Sequence, residues 1–148
     1  MNALTQKLPA VARIFLGLVF FVFGLNGFLH FLPQPPMSGP PADFVSALLA
    51  TGYMMPFIKG TEVVAGLLLL GGLFVPLALT VLAPIVLNIL GFHTLLAPSG
   101  FPMAAILVVL EGYLAWAYRD AFAPLLRARA VPHTAERSAA ASRAAATA

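Results

Sequence analysis

The sequence predicts an all-α, polytopic membrane protein: a four-helix antiparallel bundle with a short interfacial helix between helices 1 and 2. Composition is the first reason, because 61% of the 148 residues are hydrophobic and only 9% are charged, whereas soluble domains carry about 25% charged residues. The placement of the charges is the second. The stretch from residue 16 to residue 117 contains only four of them, which are Asp43, Lys59, Glu62 and Glu111.

The predicted spans cover about residues 11–31, 56–73, 76–95 and 101–118, each close to the 20 apolar residues that a membrane helix needs. Prolines at 33, 35 and 36 stop the first span, and the glycine pair at 71–72 followed by Pro76 predicts a tight reversal between the second and third. Pro84 predicts a kink inside the third span. A signal peptide is the alternative for the first span, but the run is too long and lacks an Ala-x-Ala cleavage site.

Two further segments lie outside the spans. Residues 42–55 are apolar at helical spacing but too short to cross a bilayer, so we expect a helix along the membrane interface. Residues 1–126 are predicted to form the transmembrane domain. Residues 127–148 are rich in alanine and arginine without an apolar face, which predicts a disordered cytoplasmic tail.

Basic residues lie near the two ends of the chain and are absent from the loop between the first and second spans. This distribution predicts that both termini are cytoplasmic, as an even number of spans requires. Lys59 is the exception, and it can extend to the outer surface. Because these charges fit membrane topology, the net charge of +3 does not indicate a nucleic-acid partner.

Each span carries one polar or ionisable residue, and such residues usually face the interior of a bundle. We therefore expect one shared polar pocket, with two histidines near span ends as a second layer. The predicted ligand-binding residues are Asn26, His30, Glu62, Asn88, His93 and Glu111.

Glu62 and Glu111 are the candidate proton-handling residues, since a desolvated carboxyl can act as a proton relay or general acid. The alternative is structural: these groups only form hydrogen bonds between helices. Lys59 and Glu62 are three residues apart and can form an ion pair, which would keep Glu62 from acting as an acid. No metal site is predicted, because Leu114 stands where a Glu-x-x-His pattern starting at Glu111 needs histidine.

The glycines within the spans are predicted to permit close helix approach: Gly17, Gly24, Gly27, Gly66 and Gly91. With no cysteine, the chain has no disulfide, thiolate metal site or dithiol redox couple. Nucleotide loops, zinc-ligand spacings and serine-nucleophile elbows are also lacking. An electron-transfer role would therefore need a borrowed cofactor or a partner.

Three segments carry a family resemblance: ARIFLGLVFFVFGLNGF at 12–28, KGTEVVAGLLLLGGLFVPLAL at 59–79 and LAPIVLNILGFH at 82–93. Together they resemble the DoxX family of bacterial four-helix membrane proteins. The most distinctive matches are Arg13, Gly17, Gly24 and Glu62, with the paired glycines that follow. Asn26 departs from the pattern, because relatives often have lysine there.

The resemblance implies a multi-pass protein of the bacterial inner membrane that acts as an accessory component of a quinone-linked redox system. Some relatives are linked to thiosulfate:quinone oxidoreductase or to thiol and superoxide enzymes. It further implies a quinone as non-covalent cofactor and a membrane or soluble redox protein as partner. Two alternatives stay open: a protein that binds or isomerises a lipid or isoprenoid-like molecule, and a scaffold or assembly factor without catalysis. Oligomeric state is not predicted.

Overall fold

The computed structural model describes residues 3–33 and 36–129, and all regular structure within them is helical. Six α-helices and one 3-10 turn follow one another: α1 Ala3–Leu29, α2 Pro40–Ala50, α3 Met54–Gly71, α4 Val75–Leu95, the 3-10 turn Pro98–Gly100, α5 Phe101–Ala117 and α6 Arg119–Phe122. The predicted fold class is confirmed. The tail predicted to be disordered falls mostly on residues 130–148, outside the described residues.

Within the described ranges, four helices are long and apolar enough to cross a membrane: Lys7–Leu29, Met54–Gly71, Val75–Leu95 and the run Pro98–Ala117. The spans agree closely with those predicted, except that α1 begins eight residues earlier. Pro9 lies inside α1, where it removes only one backbone hydrogen bond close to the helix start. Helix α2 ends at Ala50, five residues before the predicted end, and Gly52 follows with a left-handed φ of 74°.

The spans form a ring in the order α1, α3, α4, α5. Helix α1 packs along α3, α4 packs on α5, and contacts between α3 and α4 and between α1 and α5 close the ring. Helix α2 packs beside the start of α3. We call the side of the bundle that carries α2 the α2 end, and the opposite side, which carries α6, the α6 end.

Glycines bring α1 and α3 into direct backbone contact. A methyl group on Gly66 would lie 2.6 Å from the Phe21 backbone nitrogen, and one on Gly24 would lie 2.9 Å from that of Val63. One on Gly17 would lie 3.0 Å from the Gly66 carbonyl oxygen. The predicted close approach is confirmed there and at Gly27. It is wrong for Gly91, where an added Cβ would have no neighbour within 4 Å.

A cation from α1 closes the far end of α3. The Arg13 guanidinium donates to the carbonyl oxygens of Leu69 and Leu70, the second at 3.1 Å. Gly72 follows with a φ of 68°, and the Leu73 amide donates to the Leu68 carbonyl. These contacts satisfy carbonyls that every helix leaves free at its last turn. The first half of α1 is thus fastened to the end of α3.

The interior of the bundle is mainly aliphatic. Leu16, Leu69, Leu82 and Leu114 are completely buried, with Phe20 beside them. Large apolar side chains also cover the outside of all four spans, including Phe15, Leu67, Leu87 and Val109. Because such a surface is unfavourable in water, the spans contact the lipid bilayer.

Candidate ligand-binding site

A cavity of about 460 Å³ opens at the α2 end between α2, α3 and α4. Its walls are mostly apolar and include Phe44, Leu48, Ile58, Pro84, Ile85 and Phe92. The Phe44 ring of α2 lies 5.6 Å from that of Phe92 on α4, so α2 covers one side. The polar residues that line this cavity, which we call the polar cavity, are Lys59, Glu62, Asn88 and His93.

Lys59 and Glu62 form an ion pair on one face of α3. The distance from Lys59 Nζ to Glu62 Oε2 is 2.8 Å, and the Glu62 residue is only 3% exposed. The Lys59 stem passes against Gly27 of α1, where any side chain would overlap it. The ion pair expected from the i,i+3 spacing is therefore present. Glu62 is a charge-compensated carboxyl rather than an isolated acid.

His93 lies in the last turn of α4, where loop contacts fix its ring. Nδ1 is 3.1 Å from the Ala97 carbonyl oxygen, and because a carbonyl only accepts hydrogen bonds, Nδ1 is the donor. The neutral ring then presents Nε2 as an acceptor. Gly100 packs so close to the imidazole that a side chain there would overlap it. His93 is thus held in one orientation at the cavity wall.

Asn88 lies on the same helix as His93, about 10 Å from the end of α4 at 1.5 Å per residue. Its side chain is exposed at the cavity and forms no hydrogen bond with the residues that the structure describes. Pro84, one turn earlier, also lines the cavity, and α4 continues through it. The amide of Asn88 is consequently available as donor and acceptor to a molecule in the cavity.

A smaller cavity of about 190 Å³ lies inside the bundle. It shares Lys59, Glu62, Ile89 and His93 with the polar cavity and reaches α1 at Phe20 and α5 at Leu107. These four shared residues form the wall between the two spaces. The opposite charges of Lys59 and Glu62 compensate each other, so a neutral ligand matches this wall better than an ion does.

The structure places the predicted residues in three locations. Glu62, Asn88 and His93 meet at the polar cavity, together with Lys59, which the sequence indicated only as an ion-pair partner. Asn26 is buried, and its Oδ1 accepts a hydrogen bond of 2.6 Å from the Leu32 amide just beyond α1. His30 is exposed with a φ of 52° at the end of α1.

Glu111 occupies a third location, in a separate groove between α4 and α5. The single pocket expected from the sequence therefore does not form, because Glu111 lies one helical turn closer to the α6 end than Leu107 and lines the α4–α5 groove rather than the central cavity. Within residues 3–33 and 36–129, no three His, Asp or Glu side chains come together to hold a metal ion.

The fold and cavity together define a class, the multi-pass α-helical membrane proteins with a ligand-sized space between their spans. The DoxX family model matches residues 8–95, which is more than half of the chain and extends from α1 to the end of α4. The chain belongs to the DoxX family. No curated protein and no solved structure matches it.

Proposed function

We propose that the polar cavity binds the head group of a quinone, and that the protein is an accessory component of a quinone-linked membrane redox system. The observation that carries the proposal is the meeting of Lys59, Glu62, Asn88 and His93 in an otherwise apolar cavity of about 460 Å³. Ligand pockets generally have this size and this combination of apolar walls with a few polar groups. Membership of the DoxX family supports the redox context.

The polar groups match the chemistry of a quinone ring. Its two carbonyl oxygens accept hydrogen bonds, and the Lys59 ammonium and the Asn88 amide are donors. Reduction to the quinol takes up two electrons and two protons. The quinol then carries hydroxyl donors, for which His93 Nε2 and the Glu62 carboxylate are acceptors. Because this chain has no cysteine, it has no dithiol couple of its own, and the proposal assigns the supply of electrons to a partner redox protein.

The proposal includes an orientation in the bacterial inner membrane. Lys7, Arg13, Arg119 and Arg127 lie at or near the α6 end. Since positive residues favour the cytoplasmic side, the α6 end and both termini are cytoplasmic. The polar cavity then lies in the outer half of the membrane.

Quinone retention by the purified protein tests the proposal. The full chain is extracted in mild detergent, and bound quinone is measured by chromatography and mass spectrometry. We expect a stoichiometric quinone in the native protein and a loss of at least about threefold with Lys59→Met or Glu62→Gln, the loss expected for one hydrogen bond. Gly71→Ala is the control on the same helix, because Gly71 lines neither the cavity nor the groove and its new methyl group would meet only the Leu73 side chain at 3.7 Å.

Two results would contradict the proposal. If the native protein retained no quinone even after quinone was added to the membranes, quinone would be excluded as the ligand. Unchanged retention in both Lys59→Met and Glu62→Gln would show that the ion pair does not hold the quinone.

An isoprenoid-like lipid is the second candidate ligand, and one observation favours it. A groove of about 550 Å³ between α3 and α4 is almost entirely apolar, and it shares Phe57 with the polar cavity. A polar head and a long apolar chain could therefore occupy adjoining spaces. Mass spectrometry of all co-purified lipids separates the candidates, because an isoprenoid without a quinone ring would favour the second.

A further inference from the structure

Glu111 lines a groove of about 290 Å³ on the face of the bundle formed by α4 and α5. The groove is separate from the polar cavity. Leu107 lies one helical turn before Glu111 and lines the small central cavity, whereas Glu111 lies one turn closer to the α6 end. At 1.5 Å per residue, Glu111 is about 15 Å from the start of α5, well inside the membrane span.

One oxygen atom of the Glu111 carboxyl has no hydrogen-bond partner among the described residues. The residue is 8% exposed, and its Oε1 is buried without a hydrogen-bond partner among the residues that the structure describes. The other polar side chain of the groove is Thr80, whose hydroxyl already donates to the Pro76 carbonyl at 2.8 Å. Among the residues that the structure describes, none that lines the groove is basic. A buried carboxyl without a partner is costly, and a hydrogen-bond donor that reaches this carboxyl from the groove reduces the cost.

The surrounding residues leave room for such a donor. Ala83 and Ala115 give the groove small walls, and an added Cβ on Gly112 would meet nothing within 4 Å. Phe122 of α6 lines the groove from beyond the end of the span. An apolar cavity of roughly 150 Å³ accommodates benzene, so this groove has space for one ring with a short substituent.

We propose that the groove is a second binding site, which takes an apolar molecule with a single aromatic ring and one hydroxyl group. The hydroxyl donates to the Glu111 carboxyl while the ring packs against the aliphatic wall. A neutral donor fits because both the groove and the hydrocarbon around it lack a compensating cation. This inference does not depend on quinone binding at the polar cavity.

A matched pair of probes tests the proposal with the full chain in phosphatidylcholine nanodiscs. The first is 4-tert-butylphenol, and the second is its methyl ether, which keeps the ring and the tert-butyl group but has a methyl group in place of the donated hydrogen. Binding is measured by equilibrium dialysis against empty nanodiscs, which corrects for partition into lipid. We expect the phenol to bind about threefold to tenfold more tightly than the ether, the contribution of one hydrogen bond.

Three variants locate the effect. Glu111→Leu should equalise the two affinities, and Glu62→Gln should leave the phenol preference unchanged. Gly112→Leu fills the groove without altering the carboxyl and should abolish binding of both probes. It keeps the test decisive should Glu111→Leu fold poorly.

Infrared difference spectra provide a second readout. Addition of the phenol, and not of the ether, should shift the carboxyl band that Glu111→Gln removes. Equal binding of the two probes to the native protein would overturn the proposal, as would a phenol preference that persists in Glu111→Leu or binding that persists in Gly112→Leu. Loss of the preference in Glu62→Gln would also overturn it, by placing the phenol at the polar cavity.

Discussion

The two faces of α3 differ sharply in how tightly they pack. Against α1, the glycines at 17, 24 and 66 bring backbone against backbone and leave no space. Toward α4, the same helix borders both the polar cavity and the apolar groove. We call this tight contact between α1 and α3 the glycine seam. It fixes the position of α3, which carries Lys59 and Glu62, while the more loosely packed side of α3 provides the space for a ligand.

The largest effect is expected from a side chain in the seam. Gly66→Leu should destabilise the protein by about 3 kcal/mol or more, because even its Cβ would meet the Phe21 backbone and the two helices would have to separate. Thermal unfolding in detergent measures the change. Gly60→Leu is the matched control, because Gly60 lines the groove on the α4-facing side of the same helix, and it should be nearly neutral since its Cβ would have open space. Equal melting temperatures for the two variants would show that the two faces of α3 do not differ in how tightly they pack.

The ion pair between Lys59 and Glu62 provides a second test, on the side of α3 that borders the polar cavity. Lys59→Met should cost about 2 kcal/mol, because it leaves the Glu62 carboxylate buried without its partner, and the loss of a fully buried partner costs about 3–5 kcal/mol. The Lys59 side chain is 24% exposed, which reduces that cost. The double variant Lys59→Met with Glu62→Met should recover most of the stability. A chemical denaturation series measures this cycle, and strictly additive losses would show that the pair is not coupled.

Arg13 should give a smaller effect at the α6 end of the seam. Arg13→Leu should cost about 1.5 kcal/mol, because the Leu69 and Leu70 carbonyls lose a charged donor. Arg13→Lys should recover part of this, since an ammonium can reach one carbonyl. The same unfolding assay applies. Full stability in Arg13→Leu would mean that Gly72 and Leu73 alone close the helix.

The smallest effect is expected at Asn26. Asn26→Ala should cost about 1 kcal/mol through loss of the hydrogen bond from the Leu32 amide. Quinone retention should stay at the native level, because Asn26 lines none of the cavities described above. A loss of quinone without a loss of stability would instead make Asn26 part of the binding site.

The sequence was a good guide to the spans, because length, hydropathy and the Gly-Gly-Leu-Phe-Val-Pro reversal are local signals. It was a weaker guide to which polar residues meet. When a helix is apolar on all sides, its sequence does not indicate which side faces the interior of the bundle. The rotation of α5 in the bundle is also not a local property, and it directs Glu111 to the groove between α4 and α5 rather than to the central cavity that Glu62 lines.

Two other differences have physical causes that local pattern does not reveal. Gly91 resembles the seam glycines in sequence, but it faces open space beside α2. Asn26 is a polar residue in an apolar span, as a ligand-binding residue would be, yet its side-chain oxygen accepts a hydrogen bond from the Leu32 amide just after α1. Lys59 reaches the polar cavity because Gly27 on a neighbouring helix leaves room for its stem, which is a tertiary contact.

The link from Arg13 to the end of α3 has a consequence for biogenesis. The donor lies on α1, which leaves the ribosome before α3, and its acceptors complete α3, so the contact joins the two helices as soon as both have been inserted. A nascent chain halted after Gly72 already contains every residue of this contact and of the glycine seam. The first and third helices should therefore assemble as a stable hairpin before the remainder of the polypeptide is synthesised.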